Sequence, residues 1–299
     1  MTYQYRLRVE HNEQAWHQVR FPKSTLKRDA DRSIPDKVVH QMNHLKVGPL
    51  LFLSIFLAGC GNLGGFKILA PESFGLTRIA EHVYLESGAD EKTIFELGVA
   101  ISKAEQAIRS AYAGVESQPV IHACMTERCY ESFGGMGSRA KVYGDHILLS
   151  PRGFNWHFLA HEWSHVELRT RLTFSAWWQL PSWFDEGLAV SISDAPEHSE
   201  EHWQYLVANN IKRPTHAELI SYTSGRQWLD AVHHYGETKN AERRALGEKE
   251  VAPLYAVAGH EVRLWLAKYG TRGLANLIVN LNNGQYFDEA YQTANTEAR

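Results

Sequence analysis

The stretch FLAHEWSHVE at residues 158–167 constrains the structure of this chain more than any other. It sets His161 and His165 four residues apart in an apolar run, with Glu162 directly after the first histidine. Residues four apart lie on the same face of a helix, so both imidazoles can reach one metal ion. Glu162 lies about 100° further round the helix, where it can reach a water molecule beside that ion. The pattern predicts a helix that carries a hydrolytic metal centre.

H-E-x-x-H alone is a weak signal, because it arises by chance in roughly one such histidine-rich sequence in twenty. A catalytic zinc site needs a third protein ligand and one open position. The segment LPSWFDEGLAV supplies a candidate in Glu186, which falls in the first turn of a second predicted helix. Ser182 and Asp185 fit S-x-x-D, so we predict that Asp185 caps this helix rather than binding the metal. Gly187 would let the two helices approach closely.

H-E-W-S-H followed by W-F-D-E-G-L-A resembles the gluzincin zinc metallopeptidases, and the resemblance covers about residues 130–295. The segment LYAVAGHEVRLWLAKYG is similar to the helical tail of the bacterial peptidase-MA-like families. The resemblance implies that His161, His165 and Glu186 bind one Zn²⁺ ion. It also implies that Glu162 is the general base and proton shuttle.

The same resemblance implies a downstream Tyr or His that holds the oxyanion of the tetrahedral intermediate. Tyr255 lies at a similar distance after the third ligand, and the alternative interpretation of this residue is a packed core aromatic. His260 and the adjacent His233 and His234 are weaker candidates. The histidines of EHSEEHW read as solvated surface groups.

Substrate binding is expected at FGGMGSRAKVYGDHILLSP, just before the metal helix. In gluzincins an edge strand and a glycine-rich loop at this place pair with the extended substrate. Gly134, Gly135 and Gly137 resemble such a loop, with a plain turn as the alternative. The segment lacks the glutamate of the aminopeptidase motif, which favours an endopeptidase.

The order of predicted elements indicates an α+β fold. HVYLES and QPVIHACM read as strands, and SRAKVYGDHILLSP reads as two strands around a turn at Tyr143, Gly144 and Asp145. The long amphipathic stretch after HVYLES reads as a helix. From Gly153 onward the pattern is almost wholly helical, with one strong helix ending at Gly270. Together with the resemblance, this predicts a zincin-like catalytic domain over residues 76–299. It would have a small mixed sheet, metal-binding helices and a helical C-terminal subdomain.

The first sixty residues read as two separate segments. Residues 42–60 combine a methionine, Lys46, a short apolar run and the ending L-A-G-C, which resembles the lipobox of bacterial lipoproteins. The run is too short to span a membrane, so we predict a signal peptide and lipidation of Cys60; a buried core helix is the alternative. Residues 1–41 then read as an over-extended gene model ahead of a start at Met42, or as a disordered cytoplasmic extension.

These features predict a protein of the bacterial cell envelope. The chain would be tethered to the membrane by a lipid on Cys60 and by a glycine-rich linker over residues 61–75. Gly61, in place of aspartate, favours the outer membrane facing the periplasm. The net charge of −3 does not indicate the excess of basic residues that is typical of proteins that bind nucleic acid.

Cys124 and Cys129 are the cysteines that remain after Cys60. An exported location permits a disulfide between them, and two reduced thiols are the alternative. A zinc site built from them is disfavoured, because no second Cys/His pair lies nearby at matching spacing.

The sequence therefore predicts a zinc-dependent peptidase that acts on peptide or protein substrates in the envelope. Two alternatives stay open. One is a non-catalytic metal-binding envelope lipoprotein, and the other is a zinc amidase acting on peptidoglycan.

Overall fold

A computed structural model describes residues 67–294 of the chain. The predicted extension at 1–41, the signal segment at 42–60 with Cys60, and residues 61–66 lie outside this range. Residues 67–75, which the sequence places in the tether, pack against the domain through the buried side chains of Ile68 and Pro71. Among the described residues, no helix has the length and apolar character that crossing a membrane requires.

Five short strands form one mixed sheet in the order β1-β2-β3-β5-β4. The strands are β1 (Leu76–Ala80), β2 (Val83–Glu86), β3 (Val120–Ala123), β4 (Ala140–Tyr143) and β5 (His146–Leu149). β2, β3 and β5 run parallel, whereas β1 and β4 pair antiparallel at the two edges. The turn predicted at Tyr143, Gly144 and Asp145 joins β4 to β5 as expected.

Helices make up most of the rest of residues 67–294, and together with the sheet they confirm the α+β class. The α-helices are α1 (Glu91–Tyr112), α2 (Glu127–Ser132), α3 (Trp156–Arg171), α4 (Phe174–Gln179), α5 (Ser182–Ser193), α6 (Glu200–Ala208), α7 (His216–Ile220), α8 (Gly225–His234), α9 (Asn240–Ala245), α10 (Pro253–Asn282) and α11 (Phe287–Gln292). Short 3-10 helices cover Pro71–Phe74, Pro151–Gly153, Pro196–His198 and Glu237–Lys239.

The two faces of the sheet are covered differently. Side chains alternate along a strand, so Leu85, Ile121 and Ile147 point to one face and join the main core with α1 and α3. Leu148 belongs to a second cluster that includes Tyr130. The metal-motif helix α3 therefore packs on one face of the sheet, while the segment between β3 and β4 covers the other.

α10 packs against α5 at two glycines. A Cβ atom on Gly187 would lie 2.7 Å from the carbonyl oxygen of Ala258, and one on Gly259 would lie 2.3 Å from Cγ1 of Val190. The close approach predicted for Gly187 exists, but its partner is α10 and not the metal-motif helix. At Gly270 the backbone leaves the helical region (φ 64°, ψ −166°), which is where the sequence predicts a helix end.

The motif helix is fixed to the rest of the domain by the fully buried Glu167. Its carboxylate accepts hydrogen bonds from the backbone N–H of Glu116 (2.9 Å), from the backbone N–H and hydroxyl of Ser117 (2.9 and 2.6 Å) and from Nε of Arg171 (2.7 Å). Burial on its own would raise the pKa of Glu167, but these hydrogen bonds outweigh it and the pKa is lowered.

We expect Glu167→Ala to lower the free energy of unfolding by about 2–3 kcal/mol, since it leaves several buried donors without an acceptor. Because the folded pKa of Glu167 is lowered, its contribution is present above the unfolded pKa and is lost as the pH falls through the folded one. Urea unfolding at neutral and acidic pH measures both effects. The control is Glu201→Ala, on an exposed position of α6. A loss at Glu167 no larger than the control would contradict this role.

Candidate metal centre

The motif lies on α3, as the sequence predicts, and the helix begins at a side-chain cap. Oδ1 of Asn155 accepts hydrogen bonds from the backbone N–H of His157 (3.0 Å) and of Phe158 (3.3 Å). Such a cap satisfies N–H groups that the first turn leaves unpaired. The cap therefore stabilises the start of the helix, one turn before the motif.

His161, His165 and Glu186 converge, although Glu186 comes from α5. Oε2 of Glu186 lies 3.3 Å from Nε2 of His161 and 3.7 Å from Nε2 of His165. Two donor atoms that bind one zinc ion at about 2.0–2.1 Å in tetrahedral geometry lie about 3.4 Å apart. The ligand atoms of the three residues all lie within 4.8 Å of one another, so they could hold one metal ion.

Two further properties favour a cation at this place. Oε2 of Glu186 is buried and accepts no hydrogen bond of normal geometry. Burial alone would lower the pKa of His165, but the carboxylates of Asp185, Glu186 and Glu162 raise it to about 10. A buried site with three carboxylates and two imidazoles holds excess negative charge, which a divalent cation would offset.

Asp185 does not cap α5. The N-cap residue of that helix is Pro181, with no side-chain hydrogen bond, so the predicted S-x-x-D capping box is wrong. Oδ1 of Asp185 instead lies 2.9 Å from Nδ1 of His165. A carboxylate in this position fixes the histidine tautomer and turns its Nε2 toward the metal position. Nδ1 of His161 is buried and has no such partner.

Glu162 projects from the same helix beside the three candidate ligands. It is 9% exposed, and burial raises the pKa of its carboxyl group although both histidines oppose the shift. It is not one of the three residues whose donor atoms converge. Its carboxyl group lies near enough to both histidines and to Glu186 to interact with them electrostatically.

Two aromatic side chains from the helical part face the centre. The ring of Tyr255 lies 6.2 Å from that of His161, and the ring of His198 stacks on Tyr255 at 5.0 Å. Burial, with Glu186 and Glu237 nearby, raises the pKa of Tyr255 well above its ordinary value, so its hydroxyl stays protonated. The same ring contacts Trp228, so this tyrosine both packs in the core and borders the centre.

His198 is a site residue that the sequence missed. Burial, followed by the neighbouring His161, holds its pKa well below the ordinary value, so the ring is neutral. Its Nδ1 is buried without a hydrogen-bond partner, and its ring lies 6.4 Å from that of His161. The prediction that the EHSEEHW histidines are surface groups is wrong for His198. It is wrong for His202 too, which is 4% exposed and accepts from the N–H of Ala252.

The weaker histidine candidates have other neighbours. The ring of His260 stacks on that of Trp203, with the ring centres 3.7 Å apart, and its Nδ1 forms a hydrogen bond with the carboxylate of Glu200. His233 and His234 are exposed near the end of α8. No contact described in residues 67–294 brings any of these three to the metal centre.

Cys124 and Cys129 form a disulfide in this structure. Glu86 lies close to both sulfur atoms, giving a second cluster with metal-like spacing. Its carboxylate, however, accepts hydrogen bonds from the N–H groups of Met125 and Thr126 and from the Thr126 hydroxyl. With both sulfurs bonded to each other, this cluster braces the turn after β3.

No protein-family model matches the chain, and a comparison with curated proteins finds no match either. The chemistry of the centre is therefore inferred from its own residues.

Proposed function

We propose that this protein is a zinc-dependent peptidase of the gluzincin type, with a zincin-like catalytic domain. One observation carries the proposal. The ligand atoms of His161, His165 and Glu186 lie close enough to share one metal ion, in a buried site of excess negative charge, and this supports a bound zinc. A purely structural zinc site is closed by four ligands, whereas three ligands leave a position for substrate.

Each residue of the centre has a distinct part in peptide hydrolysis. Zinc would supply the Lewis acidity that makes a water molecule nucleophilic near neutral pH. Glu162 accepts the proton of that water and delivers it to the leaving amine. Asp185 holds His165 in one tautomer. The protonated hydroxyl of Tyr255 and the neutral ring of His198 are the two candidate donors to the oxyanion.

The sheet offers a place for an extended substrate. β4 is an edge strand that pairs with β5 on one side and packs against α3, which carries the motif. Its other edge can add a peptide as a further antiparallel or parallel strand. The loop with Gly134, Gly135 and Gly137 leads directly into β4. This arrangement supports a peptide substrate that is bound through its backbone.

The cell envelope is the proposed location. The sequence ending L-A-G-C at Cys60 supports a lipid anchor there, and the Cys124–Cys129 disulfide fits an oxidising compartment. Gly61, which follows Cys60 where aspartate would favour the inner membrane, supports the outer membrane with the domain facing the periplasm.

Metal removal tests the function directly. We expect the purified chain to contain about one zinc per molecule and to cleave unfolded casein, because unfolded chains present extended backbone. A chelator should abolish cleavage, and added Zn²⁺ should restore it. Thermal unfolding of the metal-free protein shows whether the fold survives the treatment. Stoichiometric zinc without hydrolysis of casein or peptide libraries would favour a non-catalytic metal protein.

A further inference from the structure

Residues 67–75, here called the N-terminal turn, hold two apolar side chains out toward solvent. Ile68 is 3% exposed, and it packs with Leu76 and Tyr130 in the cluster on the second face of the sheet. Leu69, the next residue, is 71% exposed, and Phe74 is 47% exposed. The turn thus packs against the domain through Ile68 and exposes apolar surface at Leu69 and Phe74.

Backbone hydrogen bonds hold this turn in the conformation that exposes its apolar side chains. The N–H of Ala70 donates to the carbonyl of Lys67 (3.1 Å), and that of Ser73 donates to the carbonyl of Ala70 (3.0 Å). The carbonyl of Gly75 accepts from the N–H of Ser87, at the end of β2 (2.9 Å). The exposure of Leu69 and Phe74 therefore follows from the backbone conformation of the turn.

The turn lies close along the chain to the proposed lipid anchor on Cys60. Six residues, GNLGGF, separate Cys60 from Lys67. Even at full extension, seven peptide units span roughly 25 Å. If Cys60 carries a lipid, the N-terminal turn is the first part of the domain that comes to the bilayer. The turn also carries a positive charge beside its apolar side chains, since the ammonium group of Lys67 lies 5.3 Å from the centre of the Phe74 ring.

We propose that the N-terminal turn is a membrane-contact surface, with Leu69 and Phe74 entering the interfacial layer of the bilayer. Lys67 lies beside them, where its ammonium group can reach lipid phosphates while its alkyl chain stays in the apolar layer. The inference rests on the lipid anchor in the proposed function. It adds that the domain is held against the membrane in one orientation and does not swing freely on its tether.

A fluorescent label can test this contact. Cys60 would be acylated, and Cys124 and Cys129 are joined in a disulfide, so Leu69→Cys introduces one free thiol for an environment-sensitive dye. The matched control is Leu229→Cys on α8, where the leucine is 67% exposed. Both full-length lipidated chains are reconstituted in vesicles of phosphatidylethanolamine and phosphatidylglycerol that contain a spin-labelled quencher lipid.

We expect the dye at position 69 to be quenched several times more strongly than the dye at position 229. Equal quenching at the two positions, on a chain with acylated Cys60, would overturn the contact surface and leave the anchor standing. A mass spectrum with an unmodified Cys60 would overturn both. Neither result bears on zinc or casein cleavage, which are measured separately.

Discussion

Glu162→Gln is expected to reduce casein hydrolysis about 10²–10⁴-fold while the zinc content stays at the wild-type level. Glutamine keeps the shape of the side chain but cannot accept the proton of the attacking water. The three converging donor atoms belong to His161, His165 and Glu186, so the variant keeps all of them. Initial rates with casein, and zinc measured on the same preparation, give the two quantities.

The fold should survive this substitution. Burial raises the pKa of Glu162, which means that its negative charge is costly in the folded protein, and a neutral amide avoids that cost. Glu201→Gln, on the exposed surface of α6, is the control for the loss of one carboxylate and should retain full activity. A Glu162→Gln enzyme that turns over at the wild-type rate would exclude Glu162 as the base.

Local patterns in the sequence were enough to predict the two parts of the candidate metal centre, on α3 and on α5. The four-residue spacing of His161 and His165 fixes their common face on any helix, whatever surrounds it. Glu186 follows from a short motif in the next long helix. Strands β2 to β5 were also predictable, with β4 and β5 on either side of an evident turn, whereas β1 was not predicted.

Contacts between distant segments were not predictable. Asp185 fits a helix cap by sequence, yet the approach of α5 to α3 gives it His165 as a partner instead. His198 lies in the polar stretch EHSEEHW, and only the packing of the 196–198 turn against α3 and Tyr255 buries it. The sequence predicted a close helix approach at Gly187, but nothing in it identified α10 as the partner.

Glu186→Ala tests the part of the centre that depends most on the fold, because its carboxylate comes from a different helix. Zinc binding free energies of about 10–16 kcal/mol over four ligands correspond to roughly 3 kcal/mol for each ligand. We therefore expect zinc affinity to fall at least about a hundredfold. Competition with a chromophoric chelator measures this, and thermal unfolding of the metal-free forms checks that α5 remains folded.

Two further variants make this result specific to the centre. Asp185→Asn keeps the ligands but weakens the orientation of His165, so we expect an intermediate loss of about 10–100-fold in zinc affinity. His233→Ala removes an exposed histidine and should leave the affinity unchanged. The order of affinities would then follow each side chain's distance from the metal position. If Glu186→Ala bound zinc as tightly as His233→Ala, the ion would be held by other residues, and the peptidase mechanism would lose its third ligand.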